Sequence, residues 1–144
     1  MPQPAHPEAG DDGVTLTYTL MFAVAFALLN LWLAIRTGQA RRMARVPLGD
    51  GVNPLLSARM RAHANFLEYV PMALILIGLI EMRVGASPIL FGLGVILVLG
   101  RIAHAFGLER AGSNPLRVSG FLLTFAVTAA LIVWGAMLLY GFTG

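Results

Sequence analysis

Four apolar stretches dominate the chain, at about 14–35, 66–80, 87–108 and 116–142. Each except the second reaches the roughly 20 residues that a helix needs to cross the hydrocarbon core of a bilayer. The second becomes long enough only if its helix starts near Asn53-Pro54, with Asn53 as the N-cap and proline in the first turn, where its missing N–H costs nothing. That start draws RMRAHANFLEYVP, residues 59–71, into the helix. The pattern therefore predicts an all-α integral membrane domain over 14–144, with helices at about 14–35, 55–80, 87–108 and 116–142. Short connections favour antiparallel neighbours, hence an up-down four-helix bundle.

The polar segments between these runs set an expected orientation. RTGQARRMARVPLGDGVNP separates the first two runs and carries Arg36, Arg41, Arg42 and Arg45, with Arg59 and Arg61 close behind. The opposite side has the acidic leading segment, the short EMRVGASP and an uncharged end. The basic excess marks the first connection as cytoplasmic, which puts both termini on the other side. Arg110 and Arg117 flank the third connection, which four crossings return to the cytoplasmic side; Asn114-Pro115 is a second helix start. Arg36, Arg42, Arg45 and Arg59 read most simply as topology signals or lipid-headgroup anchors. Residues 1–13, with three prolines, two glycines and three acids, are expected to be a disordered tail. This acidic segment also lacks the basic start of a secretory signal, so the first helix is expected to be retained.

Composition agrees with the pattern. Hydrophobic residues make up 58% of the 144 and charged residues 12%, against about 25% charged in soluble domains. All ten basic residues are arginine, and the absence of cysteine excludes disulfides, thiolate metal sites and cysteine nucleophiles. No extended soluble domain accompanies the arginines, so nothing resembles a nucleic-acid site. Gly92, Gly94, Gly100 and Gly107 would permit close helix approach in the third run.

The candidate chemistry lies in ionisable groups inside helices. At about 100° per residue, Arg61, Asn65, Glu68 and Met72 share one narrow stripe of the second helix, whereas Arg59 and His63 point elsewhere. Arg101 and His104 share a face of the third. Counted from the predicted helix ends at 1.5 Å per residue, Arg61 and Arg101 lie about 9–10 Å deep from the same surface. Arg117 begins the fourth helix there, and Arg41 leaves the first. Charges at such depth normally face a bundle interior or a wet cavity and find partners. Glu68 can satisfy one arginine, and the remaining positive charge invites an anionic ligand. The bland alternatives are a structural Arg61–Glu68 pair and a His104 that only bonds a neighbouring helix.

TGQAR at 37–41, RAHANFLE at 61–68 followed by Pro71, RIAH at 101–104 and NPLR at 114–117 together resemble the MAPEG family, the membrane-associated proteins in eicosanoid and glutathione metabolism. The resemblance covers all four helices, and its second piece is the most specific. It implies a homotrimer with glutathione between subunits near the cytoplasmic side. It further implies Arg41, Arg61, Asn65, Glu68, Arg101 and His104 as glutathione ligands, with Arg117 stabilising the thiolate. Glutathione's carboxylates suit arginine and its ammonium suits Glu68. Where better-characterised members carry tyrosines, this chain has Leu108 and Phe121, and Ala64 stands where some carry arginine. The expectation is a bacterial inner-membrane protein that binds glutathione as cosubstrate, with transferase or peroxidase activity toward small lipophilic electrophiles arriving from the bilayer. The alternative is a non-catalytic trimer whose arginine pocket binds lipid headgroups or is structural.

Overall fold

The computed structural model describes residues 15–110, 112 and 114–141; the tail expected at 1–13 lies outside these described residues. Four helices follow one another: α1 (Thr17–Ala44), α2 (Pro54–Val84), α3 (Pro88–Leu108) and α4 (Pro115–Leu139). α1, α3 and α4 are each long and apolar enough to cross a membrane. α2 is the longest and carries Arg59, Arg61, Glu68, Glu81 and Arg83.

Both asparagine-proline starts form as the sequence implies. Asn53 Oδ1 accepts from Leu56 N at 3.0 Å, and Asn114 Oδ1 accepts from Arg117 N at 3.1 Å. Each bond satisfies one of the donors that a helix start leaves open. The first helix, expected to stop near residue 35, instead runs to Ala44 and closes at Arg45 with φ of 55°. Its apolar run does end near Ile35, but TGQARRMA is rich in good helix formers and extends the helix as a polar continuation. Arg36, Arg41 and Arg42 therefore sit on a helix rather than in a connection. Likewise α2 continues through EMRV to Val84, placing Glu81 and Arg83 inside the helix.

α2 packs against all three other helices, while α1 pairs closely with α2 and α3 with α4. Phe22, Phe26, Phe66, Val70, Ala73, Ile77, Leu90, Leu97, Val127 and Leu131 form one buried core. Phe26 meets Phe66 edge-on at 6.2 Å across the α1–α2 seam. On α3 the expected close approach holds for Gly94, Gly100 and Gly107 but not Gly92, which has open space around it. A Cβ on Gly94 would enter the Phe22 ring, and one on Gly107 would enter the Arg117 backbone. Gly120 on α4 answers them, because a Cβ there would strike the backbone of Gly100 and His104. The α3–α4 pair is thus held at backbone contact.

The two ends of the bundle are fastened by ionised side chains. At one end Leu16 supplies no side-chain cap to α1, and Glu81 of α2 does so from across the seam. Glu81 Oε1 accepts from Tyr18 N at 2.8 Å, while Oε2 accepts from Thr19 N at 2.7 Å and Thr19 Oγ1 at 2.6 Å. At the other end Glu109, just past α3, receives Arg36 Nη2 at 2.6 Å and Arg59 Nε at 3.0 Å. Arg59 Nη1 also donates to the Arg36 carbonyl at 2.9 Å, and the Arg36 guanidinium lies 4.4 Å from the Trp32 ring centre. Glu109 thereby ties α1, α2 and the end of α3 together. Of the two roles the sequence suggests for Arg36 and Arg59, topology signal or lipid-headgroup anchor, the second does not hold, because their charges meet Glu109 in this internal clamp. From its level, α1 extends from Arg36 to Ala44, about 12 Å further.

Candidate functional site

The α1–α2 connection is wound against α2 by Arg41. Arg41 Nη1 donates to the carbonyls of Val46 at 3.1 Å and Gly49 at 2.8 Å, and Nη2 approaches Met60 Sδ at 3.5 Å. Asp50 Oδ1 accepts from Val52 N at 3.2 Å, and Asn53 N bonds the Asp50 carbonyl at 2.9 Å. Gly49 at φ of 69°, Gly51 at 56° and the β-branched Val52 at 58° give the turn its left-handed course. Arg41 thus holds the turn in place, and its guanidinium is not among the groups lining the clefts below.

Two clefts adjoin at this end and share Arg61 and Asn65. The outer one, of about 500 Å³, is lined by Gly49, Asp50, Ser57, Met60, Arg61, Ala64, Asn65 and Glu68. The inner one, of about 330 Å³, is lined by Arg61, Asn65, His104, Leu108, Arg117, Val118, Phe121 and Leu122. Both fall within the range of small-ligand sites, roughly 300–1,000 Å³. A larger apolar groove lies at the opposite end, between α2 and α4.

His104 is the fixed point between them. It is buried, and its Nδ1 lies 3.2 Å from the Arg117 carbonyl, which can only accept, so Nδ1 carries the proton. Nε2 then accepts from Asn65 Nδ2 at 3.1 Å. That bond sets the Asn65 amide, turning Oδ1 away from the ring and free for another donor. Gly120 permits this geometry by letting α4 lie against the His104 backbone. The interhelical bond considered as the bland role for His104 is present, and it also orients Asn65 within both clefts.

The expected stripe of Arg61, Asn65 and Glu68 is present, but it does not face the bundle interior. Arg61 and Glu68 are exposed and Asn65 is half-buried, with Met72 below them 59% exposed. A helical wheel gives relative directions around α2, not which direction the other helices cover. Burial falls on Arg101, which is 3% exposed and donates from Nη1 to Thr124 Oγ1 at 3.4 Å. Its Nε has no partner among the described residues, and Tyr69 and Glu68 are acidic groups in its surroundings. Arg101 therefore stands behind the clefts rather than in their walls. Among the described residues Glu68 forms no ion pair, contrary to its expected service to an arginine; Glu109 fills that role. The depth estimate also shifts, because α2 begins beyond the Glu109 clamp and Arg61 follows Arg59 almost at the level where α3 ends.

Arg61, Asn65, Glu68, His104 and Arg117 are thus brought together, whereas Arg41 and Arg101 hold supporting positions. Asp50, Tyr69 and Thr124 escaped the sequence reading. Asp50 sits in a glycine-flanked turn that reads only as a connection, and Thr124 is one polar residue in an apolar run. Tyr69 was readable as the polar neighbour of Glu68, but it falls outside the stripe.

A helical membrane protein with a polar double cleft at one end of its bundle is the class that this fold and site define. A family profile agrees: the MAPEG family matches residues 19–137, and the chain belongs to it. Among curated proteins it is similar to two named "Inner membrane protein YecN", from Escherichia coli strain K12 and from strain O6:H1. Each is 32% identical over 87 residues, which is 60% of this chain and 66% of the relative, just under two thirds of its length.

Proposed function

We propose that this protein binds glutathione, or a similar anionic thiol, in the two adjoining clefts and directs it at lipophilic electrophiles as a transferase or peroxidase. One observation carries the reading: Arg61, Glu68 and Arg117 converge on these clefts, and none of them forms an ion pair among the described residues. The arginines suit carboxylates, Glu68 suits an ammonium, and Asn65 Oδ1 suits an amide N–H. A guanidinium beside the sulfur favours thiolate over thiol, and the thiolate is the nucleophile. In conjugation the thiolate attacks an electrophilic carbon as its leaving group departs, so no protein nucleophile is needed. Leu108, Val118, Phe121 and Leu122 offer the electrophile an apolar wall beside Arg117.

The same reading includes the assembly and its setting. Exposed Arg61 and Glu68 on the flank of a bilayer helix are costly unless covered, and a second copy closing the clefts would cover them. That assembly would be a homotrimer of up-down bundles, as the family resemblance implies. The arginine-rich end would face the cytoplasm by charge bias, with both termini opposite, in a bacterial inner membrane as in the relatives' name.

Titration calorimetry of the detergent-purified protein with glutathione tests the binding. Saturable heat is expected, with Arg61→Ala and Glu68→Ala each weakening affinity about tenfold or more. No heat at millimolar glutathione, or unchanged affinity in both variants, removes the proposal. For catalysis, conjugation of a generic aryl halide should fall about a hundredfold in Arg117→Ala, and equal rates would strip Arg117 of its role.

A second reading is favoured by one feature: the lining of the inner cleft contains no hydroxyl, since Leu108 and Phe121 face it. A non-catalytic trimer holding anionic lipid headgroups on Arg61 and Arg117 would look the same. It predicts retention of anionic phospholipid through purification and no turnover of any aryl halide.

A further inference from the structure

The outer cleft carries charges of both signs. Arg61 stands in it with Asp50 from the α1–α2 turn and Glu68 from α2, and Ser57 and Asn65 add neutral polar groups. No ion pair among the described residues joins Arg61 to either acid, although all three line one cavity of about 500 Å³. Asp50 uses Oδ1 to hold Val52 N, and Oδ2 has no hydrogen-bond partner among the described residues. The turn is itself fastened, because Arg41 holds the carbonyl of Gly49, the residue before Asp50. A purely anionic ligand would meet two carboxylates beside one guanidinium and be repelled. The ligand that matches carries an ammonium and a carboxylate on neighbouring atoms, so that one charge meets Arg61 while the other lies toward the acids.

We propose that Asp50 is a specificity-determining residue that, with Glu68, selects ligands bearing a free α-amino acid head, the carboxylate of that head lying on Arg61. The inference rests on the glutathione reading and deepens it: the γ-glutamyl end occupies the outer cleft, and the thiol end reaches the inner cleft beside Arg117. Arg41 is then a positioning residue, acting on the ligand only through the turn that presents Asp50. The two unpaired carboxylates discriminate against peptides and thiols whose amine is blocked, because acylation removes the positive charge and leaves two anions facing a neutral amide.

The test pairs a change in the ligand with a change in the protein. Glutathione and its amine-acylated form are titrated into the detergent-purified full chain as wild type, Asp50→Asn and Asp50→Glu. Asparagine keeps an Oδ1 for Val52 N, so the turn is retained, and an unchanged melting temperature verifies this. Wild type is expected to bind the acylated form at least about tenfold more weakly. Asp50→Asn should weaken glutathione by a similar factor while leaving the acylated form within about twofold, and Asp50→Glu should restore much of the discrimination. Equal weakening of both ligands by Asp50→Asn, or no change in either, overturns the role of Asp50 while the glutathione reading stands. No binding of either ligand by wild type overturns both.

Discussion

Glu81 and Glu68 are carried by the same helix and are treated in opposite ways. Glu81, at the end where α1 begins, is 1% exposed and accepts three hydrogen bonds from Tyr18 and Thr19. Glu68, near the arginine-rich end, is exposed in a cleft and forms no ion pair among the described residues. The contrast extends to their surroundings. One end of the bundle is closed along its α1–α2 seam, where Glu81 is satisfied by the first turn of a neighbouring helix, while the apolar α2–α4 groove beside Arg83 stays open there. The other end uses Glu109 to absorb Arg36 and Arg59 and Arg41 to fasten a turn, yet leaves Arg61, Glu68 and Arg117 without an ion pair among the described residues. In an apolar bundle a satisfied charge stabilises the fold, whereas a charge left without a partner at a cleft needs an external one.

Substitutions separate these two classes, and the largest effect is expected where packing supports both. Gly120→Leu would force α4 off the backbone of Gly100 and His104, costing about 3 kcal/mol. It should also break the His104 to Arg117 carbonyl bond, so a lowered melting temperature in detergent should accompany lost glutathione binding. At the closed end, Glu81→Ala strips the α1 start of three acceptor contacts and should cost about 2–3 kcal/mol. Glutathione affinity measured below the transition should stay within about twofold, because Glu81 lies at the far end of α2 from the clefts. A tenfold loss of affinity in Glu81→Ala would erase the distinction between the two ends. Glu109→Gln weakens two half-buried ion pairs, at an expected cost of about 1–2 kcal/mol.

The closed end was less legible than the open one. Asn53-Pro54 and Asn114-Pro115 announced two helix starts because the capping chemistry is local. Apolar runs likewise announced where α1, α3 and α4 lie. Nothing local announces that Glu81 caps another helix, since its three donors lie more than sixty positions away in Tyr18 and Thr19. The end of α1 was missed for a related reason: hydropathy measures the length of an apolar run, and the helix outlasts it. The grouping of Arg61, Asn65, His104 and Arg117 was readable from spacing and depth, but not which way the α2 stripe turns. Direction depends on which faces α1, α3 and α4 cover. The choice of Glu109 over Glu68 as the partner of Arg36 and Arg59 depends on the same packing.

Arg59 and Arg61 give the smallest structural change and the sharpest contrast. They are two positions apart, carry the same charge and lie in the first turns of the same helix. Arg59 is half-buried against Glu109 and the Arg36 carbonyl, and its removal leaves Glu109 with one partner and takes from the Arg36 carbonyl a second donor beyond its helical one. Arg59→Ala should cost about 1 kcal/mol of stability and change glutathione affinity by less than about twofold. Arg61 is exposed, with no partner to strand among the described residues, so Arg61→Ala should move stability by less than about 0.5 kcal/mol while costing about tenfold or more in affinity. Paired measurements of melting temperature and calorimetric affinity on the two variants decide whether the partners formed inside the chain separate structural from ligand-facing arginines. Loss of affinity in Arg59→Ala with none in Arg61→Ala would reverse the assignment, because the clamp rather than the cleft would then carry the ligand.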